Sequence, residues 1–210
     1  MLPQPFDTIL SIAILVLSVC LHEAAHAWAA YKLGDPTAYR LGRVTLNPIP
    51  HIDPIQTIAM PLMFYFASGG KFIFGGAKPV PINPYLFRNP SKGMMLTGLA
   101  GPAVNLLLAG IAGFLYLPFR PIIKLESVGD FLLIYIVVIN VFLLVFNLIP
   151  IPPLDGSRAL RYFLPYHLRE RFDRLEQYGM LILMLVIFSP LMRYVNVFRN
   201  FIVDTLLVFR

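Results

Sequence analysis

Long apolar runs constrain this chain more than any other feature of its sequence. Residues 8–30 form one such run, interrupted by few polar side chains. As a helix it is about 34 Å long, enough to cross a bilayer. Two further runs, residues 94–119 and 131–151, are of similar length, whereas residues 55–66 span only about 18 Å as a helix. The sequence therefore predicts an all-α polytopic membrane protein built as a transmembrane helix bundle.

The segments between the first and third apolar runs have a different composition. Residues 36–56 and 68–90 are rich in Pro and Gly, with short stretches of alternating apolar residues. We expect short membrane-associated β or re-entrant segments here, with strand-like chain at residues 44–46 and 79–82. The short run 55–66 is expected to be re-entrant or interfacial rather than a full span.

The C-terminal part is more basic. Residues 157–179 combine several arginines with apolar residues at helical spacing, which is typical of an interfacial amphipathic helix. Another apolar run, residues 178–191, follows. We predict a single domain over residues 1–210. Its core is residues 8–160, and residues 161–210 hold the basic amphipathic segment and C-terminal hydrophobic helices.

Composition supports a membrane protein and argues against other classes. Charged residues make up 13% of the chain, against about 25% in a typical soluble domain. The net charge of +6 comes from cations placed between apolar runs, which indicates topology signals and contact with anionic lipid heads rather than a nucleic-acid surface. Cys20 is the single cysteine, so no intrachain disulfide can form.

The first apolar run contains the sequence HEAAH, residues 22–26. On a helix, residues four apart share a face, so His22 and His26 can offer imidazole nitrogens to one metal ion. Glu23 lies one position round and can act on a water molecule as a general base. Two histidines and a glutamate within a membrane helix are costly unless they have a function. The alternative is a pair of core histidines hydrogen-bonded to neighbouring helices.

A catalytic zinc needs a third protein ligand and an open position. Asp155 follows the fourth apolar run in NLIPIPPLDG, after a proline-broken helix end. Irregular backbone at membrane depth is tolerated where it lines protein or a wet cavity. Asp155 is the leading candidate, and the alternative is a turn residue at the water interface. Asp53 is its main rival as the third ligand.

Three motifs in order, HEAAH, GPAVN (residues 101–105) and NLIPIPPLDG, resemble the site-2 protease family of zinc intramembrane proteases (M50-type). The stretches LNPIPHIDPIQT and GGAKPVPINP are similar to its small prokaryotic branch, which has no PDZ or CBS domains. The resemblance covers residues 15–160. It implies one catalytic Zn²⁺ held by His22, His26 and Asp155, with Glu23 as the general base.

Three further polar residues remain open between roles. The resemblance implies a position for Asn105 near the substrate or oxyanion, but an interhelical hydrogen bond would explain it equally well. His51 and Asp53 form an H-x-D pair in an extended segment. They could face the metal, shape a substrate groove, or cap the short run that begins at Ile55.

The positions of the motifs predict a topology. His22, His26 and Asp155 all lie toward the C-terminal ends of their runs, so these two helices should be parallel. Most Lys and Arg residues then fall on one side, whereas the loop 120–130 has only Arg120 and Lys124. Positive charge marks the cytoplasmic side. We expect an integral protein of a prokaryotic plasma (inner) membrane, with the site near the cytoplasmic face.

The predicted function is a zinc metalloendopeptidase that cuts within or near transmembrane segments, in regulated intramembrane proteolysis. Expected partners are single-pass membrane protein substrates and the lipid bilayer, with no nucleic acid. A homo-oligomer is compatible with the sequence. The alternative is a non-proteolytic metal-binding transporter or scaffold, but a transporter would more often show internal symmetry and polar groups in several spans.

Overall fold

The structure is a computed structural model that describes residues 4–67, 75–119 and 128–207. All regular secondary structure in these residues is helical. The α-helices are α1 (Gln4–Lys32), α2 (Thr37–Arg40), α3 (Met60–Ala67), α4 (Pro90–Phe119), α5 (Val128–Asn147), α6 (Asp155–Phe163), α7 (Tyr166–Leu175), α8 (Gly179–Ile187) and α9 (Leu191–Leu206).

Two helices in the described residues are long and apolar enough to cross a membrane, Ile9–Lys32 in α1 and Pro90–Leu117 in α4. The 20 residues of α5 are also apolar and extend about 30 Å. The segments Tyr166–Ile187 and Leu191–Leu206 form a further apolar pair, bent by 76° between them. The chain is thus built as a helical membrane protein.

Hydrogen bonds between the helices define their directions. Along α1, His22 pairs with Asn105 and His26 pairs with Thr97, so α1 and α4 are antiparallel. The Asn140 side chain of α5 donates to Ser18 of α1 at 3.0 Å, one turn before the His22 level. Since Asp155, beyond the end of α5, also meets α1 at His22, α1 and α5 are parallel as the sequence predicted.

The packed core lies between α4, α5 and the C-terminal end of α9. Ala109 and Ala112 of α4 face Val137 and Val141 of α5, all fully or almost fully buried. Alanines allow the two backbones to approach closely, which is how helices associate without a hydrophobic driving force in lipid. Helices α4 and α5 are thus packed together, and the polar side chains Ser18 and His22 of α1 contact them.

The described residues contain none of the predicted β segments, and residues 68–74 of the second predicted stretch lie outside them. Residues 44–46 and 79–82 are irregular chain and have no partner strand among the described residues. Instead, the Arg43 guanidinium donates to the carbonyl oxygens of Lys78 and Pro79, and Val80 packs against Ala27 and Ala38. The prediction of strands was wrong because side-chain contacts to α1 and Arg43 organise this chain, not a ladder of backbone hydrogen bonds.

The short apolar run 55–66 also avoids a full span. A π-helical turn, Pro54–Ala59, leads into α3, which has eight residues and is about 12 Å long.

The basic amphipathic segment is two helices rather than one. Pro165 cannot continue α6, so the chain breaks there and α7 folds back.

A bidentate ion pair joins these two helices. The Arg161 guanidinium donates to both carboxylate oxygens of Asp173, at 2.6 and 2.7 Å. The pairing lowers the pKa of Asp173 and raises that of Arg161. The side chains are partly exposed, so the pair contributes at most about 1 kcal/mol.

Asp35 connects the end of α1 to the segment before α4. It is fully buried, and its carboxylate accepts hydrogen bonds from the Thr37 backbone N–H and hydroxyl and from the Asn83 backbone N–H. Removing the buried acceptor would leave three partly buried donors without partners, which is costly.

We expect Asp35→Ala to reduce the free energy of unfolding by roughly 2–4 kcal/mol. Asp35→Asn should cost less because it keeps one oxygen acceptor. Thermal unfolding in detergent, followed by circular dichroism, measures both variants. Asp173→Asn is the matched control, since it removes an exposed carboxylate. Equal destabilisation by Asp35→Ala and Asp173→Asn would contradict this account.

Candidate metal centre

Three potential ligands converge where α1, α4 and α6 meet. Nε2 of His22 lies 3.1 Å from Oδ2 of Asp155, and Nε2 of His26 lies 3.1 Å from the same oxygen. The two Nε2 atoms are 3.0 Å apart. All three side chains are buried. In the described residues they form the one group of three or more His, Cys, Asp or Glu side chains that could hold a metal ion.

Helix α4 orients both imidazole rings. Nδ1–H of His26 donates to the Thr97 carbonyl oxygen at 2.7 Å, and Nδ1–H of His22 donates to Oδ1 of Asn105 at 3.2 Å. A proton on Nδ1 leaves the Nε2 lone pair free for a metal. Hydrogen bonds of this kind commonly fix the tautomer and orientation of metal-binding histidines.

Asp155 reaches the histidines because the chain turns sharply after α5. It begins α6, whose next residue, Gly156, packs against the backbone of Leu148 and Ile149. A Cβ atom at position 156 would lie 2.3 Å from the Leu148 carbonyl oxygen. The glycine of the LDG sequence therefore allows the close approach that places Asp155 at the level of His22.

Gly101 has the same role on α4. A Cβ atom at this position would lie 2.5 Å from Cε1 of His22 and 2.5 Å from Nε2 of His26. The space beside the two Nε2 atoms thus exists only because residue 101 has no side chain. It is the space that an ion bound by the two nitrogens needs.

The donor set and its spacing fit zinc. Ligands 2.0–2.1 Å from a tetrahedral zinc lie about 3.3 Å from one another. The three donor atoms are 3.0–3.1 Å apart, within a few tenths of an ångström of that value. Two imidazoles and one carboxylate are also a typical ligand set for a catalytic zinc with an open fourth position.

Two charged side chains border the cluster. Glu23 is partly exposed and lies next to His22 on α1, on a different helix face. Arg158 Nη1 lies 3.8 Å from Oδ1 of Asp155, the oxygen that does not face the histidines. Burial lowers the pKa of Arg43, and the negative charge of Glu23 partly opposes that effect.

The other predicted site residues lie outside the cluster of donor atoms. Asp53 caps the turn that begins at Pro54, because Oδ1 accepts from the backbone N–H groups of Ile55 and Gln56. Nε2 of His51 lies 3.1 Å from the Thr45 carbonyl oxygen. Asn105 contacts His22 as an interhelical bridge, the alternative that the sequence left open. Direct roles of the three residues toward a substrate stay predictions.

Sequence reasoning missed three residues that shape the centre. Gly101 and Thr97 were not singled out, although Gly101 lies within the GPAVN motif. The available signal for Gly101 was that small residues on a membrane helix mark places where another helix approaches closely. Thr97 acts through its backbone carbonyl, which any residue carries, so its side chain gave no signal. Arg158 is one of many Lys and Arg residues in the sequence, and its charge alone does not indicate a contact with Asp155.

The ligand assignment can be tested by metal content. We expect near-stoichiometric zinc in the wild type and loss of zinc in His26→Ala and Asp155→Asn, because each removes one of three converging donors. Asp53→Asn should keep zinc, since asparagine also caps a helical turn. Elemental analysis of the purified proteins measures this. Zinc that survives Asp155→Asn but is lost in Asp53→Asn would move the third ligand to Asp53.

The space at Gly101 gives an independent test. Gly101→Ala should abolish zinc binding, because the added methyl group collides with both imidazoles. Gly110→Ala is the matched control on the same helix, where a Cβ atom meets no atom within 4 Å. The two variants should have similar helix content by circular dichroism. Equal zinc content in both would contradict the role assigned to Gly101.

Comparisons with known proteins identify relatives of this chain. The family model "Peptidase family M50" matches residues 121–189. The chain is 38% identical over 187 residues to "Putative zinc metalloprotease YwhC" of Bacillus subtilis, which covers 86% of this chain and 81% of that protein. It is 33% identical over 183 residues to "Putative zinc metalloprotease Rip2" of Mycolicibacterium smegmatis. That match covers 87% of this chain and 68% of the relative.

No solved structure matches the chain significantly. The two relatives extend over most of the chain, beyond the region that the family model matches. Together with a zinc-compatible centre on apolar helices, they establish that this chain belongs to peptidase family M50, the site-2 protease family of zinc metalloproteases.

Proposed function

We propose that this protein is an intramembrane protease that hydrolyses peptide bonds within or near the transmembrane segments of single-pass membrane proteins. The observation that carries the proposal is the position of the centre. His22 and His26 lie within a helix that is long and apolar enough to cross a membrane, and Asp155 meets them there. A catalytic centre at this depth acts on a chain that is itself in the membrane.

Each residue of the centre has a separate task in hydrolysis. Nε2 of His22, Nε2 of His26 and Oδ2 of Asp155 would hold the zinc. When bound, zinc acts as a Lewis acid that brings the pKa of water near neutrality and polarises the scissile carbonyl. Glu23 takes the proton from the attacking water and returns it to the leaving amine, as a general base and then a general acid.

The chain excludes bulk water from most of the centre. His22, His26, Asn105 and Asp155 are buried, and Glu23 is the more exposed member. The substrate would therefore approach from the Glu23 side. A helical substrate must unwind there first, because its carbonyl groups are already hydrogen-bonded within the helix.

The centre lies near one end of α1. His26 is six residues before Lys32, the last residue of α1, which corresponds to about 9 Å along the helix. Lys32, Arg40 and Arg43 follow at this end. Since positive charge marks the cytoplasmic side, we place the active site near the cytoplasmic face of a prokaryotic plasma membrane.

Glu23→Gln tests the proposal. The variant should keep zinc, because Glu23 is not among the converging donors, and should cleave at least about a hundredfold more slowly because the general base is lost. The measurement uses protein reconstituted in liposomes with a panel of single-pass membrane proteins that lack their outer domains, and new termini are identified by mass spectrometry.

Gly110→Ala serves as the control that retains activity, because a Cβ atom at that position meets no atom within 4 Å. A metal-binding transporter or scaffold would yield the same fragments, or none, from the wild type and from Glu23→Gln, which would reject proteolysis. New termini that all lie far from the transmembrane segments of these substrates would reject the intramembrane substrate class.

A further inference from the structure

A cavity separate from the metal centre lies between the ends of α1 and α4. Its volume is about 570 Å³. Because α1 and α4 are antiparallel, the end of α1 meets the beginning of α4 on the same side of the bundle. The residues that line the cavity come from these two ends and from the chain that precedes α4. They are Lys32, Leu33, Gly34, Leu86, Phe87, Arg88, Asn89, Lys92, Gly93 and Leu96.

Three cations line the cavity, Lys32, Arg88 and Lys92, and all three are exposed. Within the described residues none of them forms an ion pair, and no acidic residue is among those that line the cavity. The adjacent carboxylate of Asp35 is buried and accepts hydrogen bonds from Thr37 and Asn83. Even with its negative charge, the three exposed cations leave this surface with a net positive charge.

Helix α4 adds to this charge because its N-terminal end borders the cavity. The first turn of a helix bears a partial positive charge and favours phosphate groups. Asn89 closes part of this end, since its side chain accepts from the Lys92 backbone N–H at 3.0 Å. Lys92 extends from the same turn, so the helix and the side chain present positive charge together.

One wall of the cavity is apolar. Leu86 and Leu96 are exposed to 46% and 37%, and Leu33 is partly buried. Buried Phe87 forms the base, where it packs against Gly93 so closely that a Cβ atom there would lie 2.3 Å from its ring. A ligand that fits both the cations and this apolar wall has an anionic group and an adjoining apolar part.

Aromatic residues place this end of α1 at the membrane surface. Trp28, Tyr31 and Tyr39 are exposed, and the rings of Tyr31 and Tyr39 stack at 4.4 Å. Nζ of Lys32 lies 5.8 Å from the Trp28 ring centroid. Trp and Tyr concentrate at the headgroup level of membranes, and Lys extends its ammonium group to the same level. The cavity therefore opens where lipid phosphates lie.

We propose that this cavity is a binding site for an anionic phospholipid, with the phosphodiester at Lys32, Arg88 and Lys92 and the glycerol and upper acyl chain against the leucines. Basic pockets between transmembrane helices bind lipid headgroups in this way. An acidic peptide would supply the charge but not an apolar group at headgroup depth. The site is independent of the metal centre and does not depend on proteolytic activity.

The test titrates the delipidated full-length protein, in uncharged detergent, with phosphatidylglycerol and with phosphatidylcholine of the same acyl chains. Native mass spectrometry counts the bound lipids. The wild type should bind one phosphatidylglycerol in clear preference to phosphatidylcholine. The triple variant Lys32→Ala/Arg88→Ala/Lys92→Ala should bind it on the order of a hundredfold more weakly, about fivefold per removed cation. Lys92→Arg should retain binding.

The matched control is Arg171→Ala/Arg174→Ala/Arg193→Ala, which removes the same charge from exposed positions of α7 and α9. It should bind like the wild type. Zinc content equal to wild type shows that each variant is folded. Equal weakening of phosphatidylglycerol binding in both triple variants would show that only the net charge of the protein matters. That result would overturn the site.

Two competitors separate the sources of the anion. Millimolar inorganic phosphate should leave the bound lipid in place, because it lacks the apolar part. Displacement by inorganic phosphate would assign the cavity to free phosphate, and preferential binding of an acidic peptide of Glu and Gly residues would assign it to a protein segment. Either result would overturn a lipid site.

Discussion

The close approach of α1, α4 and α6 at the three donor atoms is the constraint on which the rest of this structure depends. Hydrogen bonds between membrane helices contribute about 0.6–2 kcal/mol each. An ionisable side chain at membrane depth costs about 3 kcal/mol or more. The contacts of His22 and His26 with Thr97 and Asn105 thus do not offset the cost of the buried polar cluster. Bound zinc would offset it, because coordination of a structural zinc contributes on the order of 10 kcal/mol.

Small residues make that approach possible. Gly101 leaves room for the two imidazoles, and Gly156 lets α6 begin against the backbone at the end of α5. Alanines of α4 also allow α5 to pack closely against it. The two glycines contact a backbone or an imidazole ring directly, so even one added methyl group there changes the distance between donor atoms. A metal centre that needs spacing within a few tenths of an ångström explains why these positions carry the smallest side chains.

The irregular segments around the bundle are held by single polar side chains rather than by secondary structure. Asp35 anchors the chain before α4, Arg43 binds the carbonyl groups of Lys78 and Pro79, and Asp53 caps the turn leading to α3. In this way the chain satisfies backbone groups near the membrane without strands. The same region holds Lys32, Arg88 and Lys92, which form no ion pair with other described residues and which the proposed lipid site assigns to a phosphate group.

The sequence by itself determined the helical membrane class, the HEAAH pair and the parallel direction of α1 and α5. Apolar run length, the four-residue spacing of histidines on a helix and the position of Asp155 after its run are local properties, so they can be read from the chain. It misplaced strands at residues 44–46 and 79–82, because alternating apolar residues do not reveal whether a partner strand exists.

Only the tertiary structure decided which side chains support the centre. The position of Asp155 rather than Asp53 beside the histidines, and the contact of Asn105 with His22, depend on how segments more than eighty residues apart along the chain come together. The Thr97 carbonyl and the missing side chain of Gly101 act through backbone geometry, which side-chain identity does not encode. The sequence shows which side chains can bind a metal and how they are spaced along one helix, whereas the packing of the helices brings the three donor atoms together.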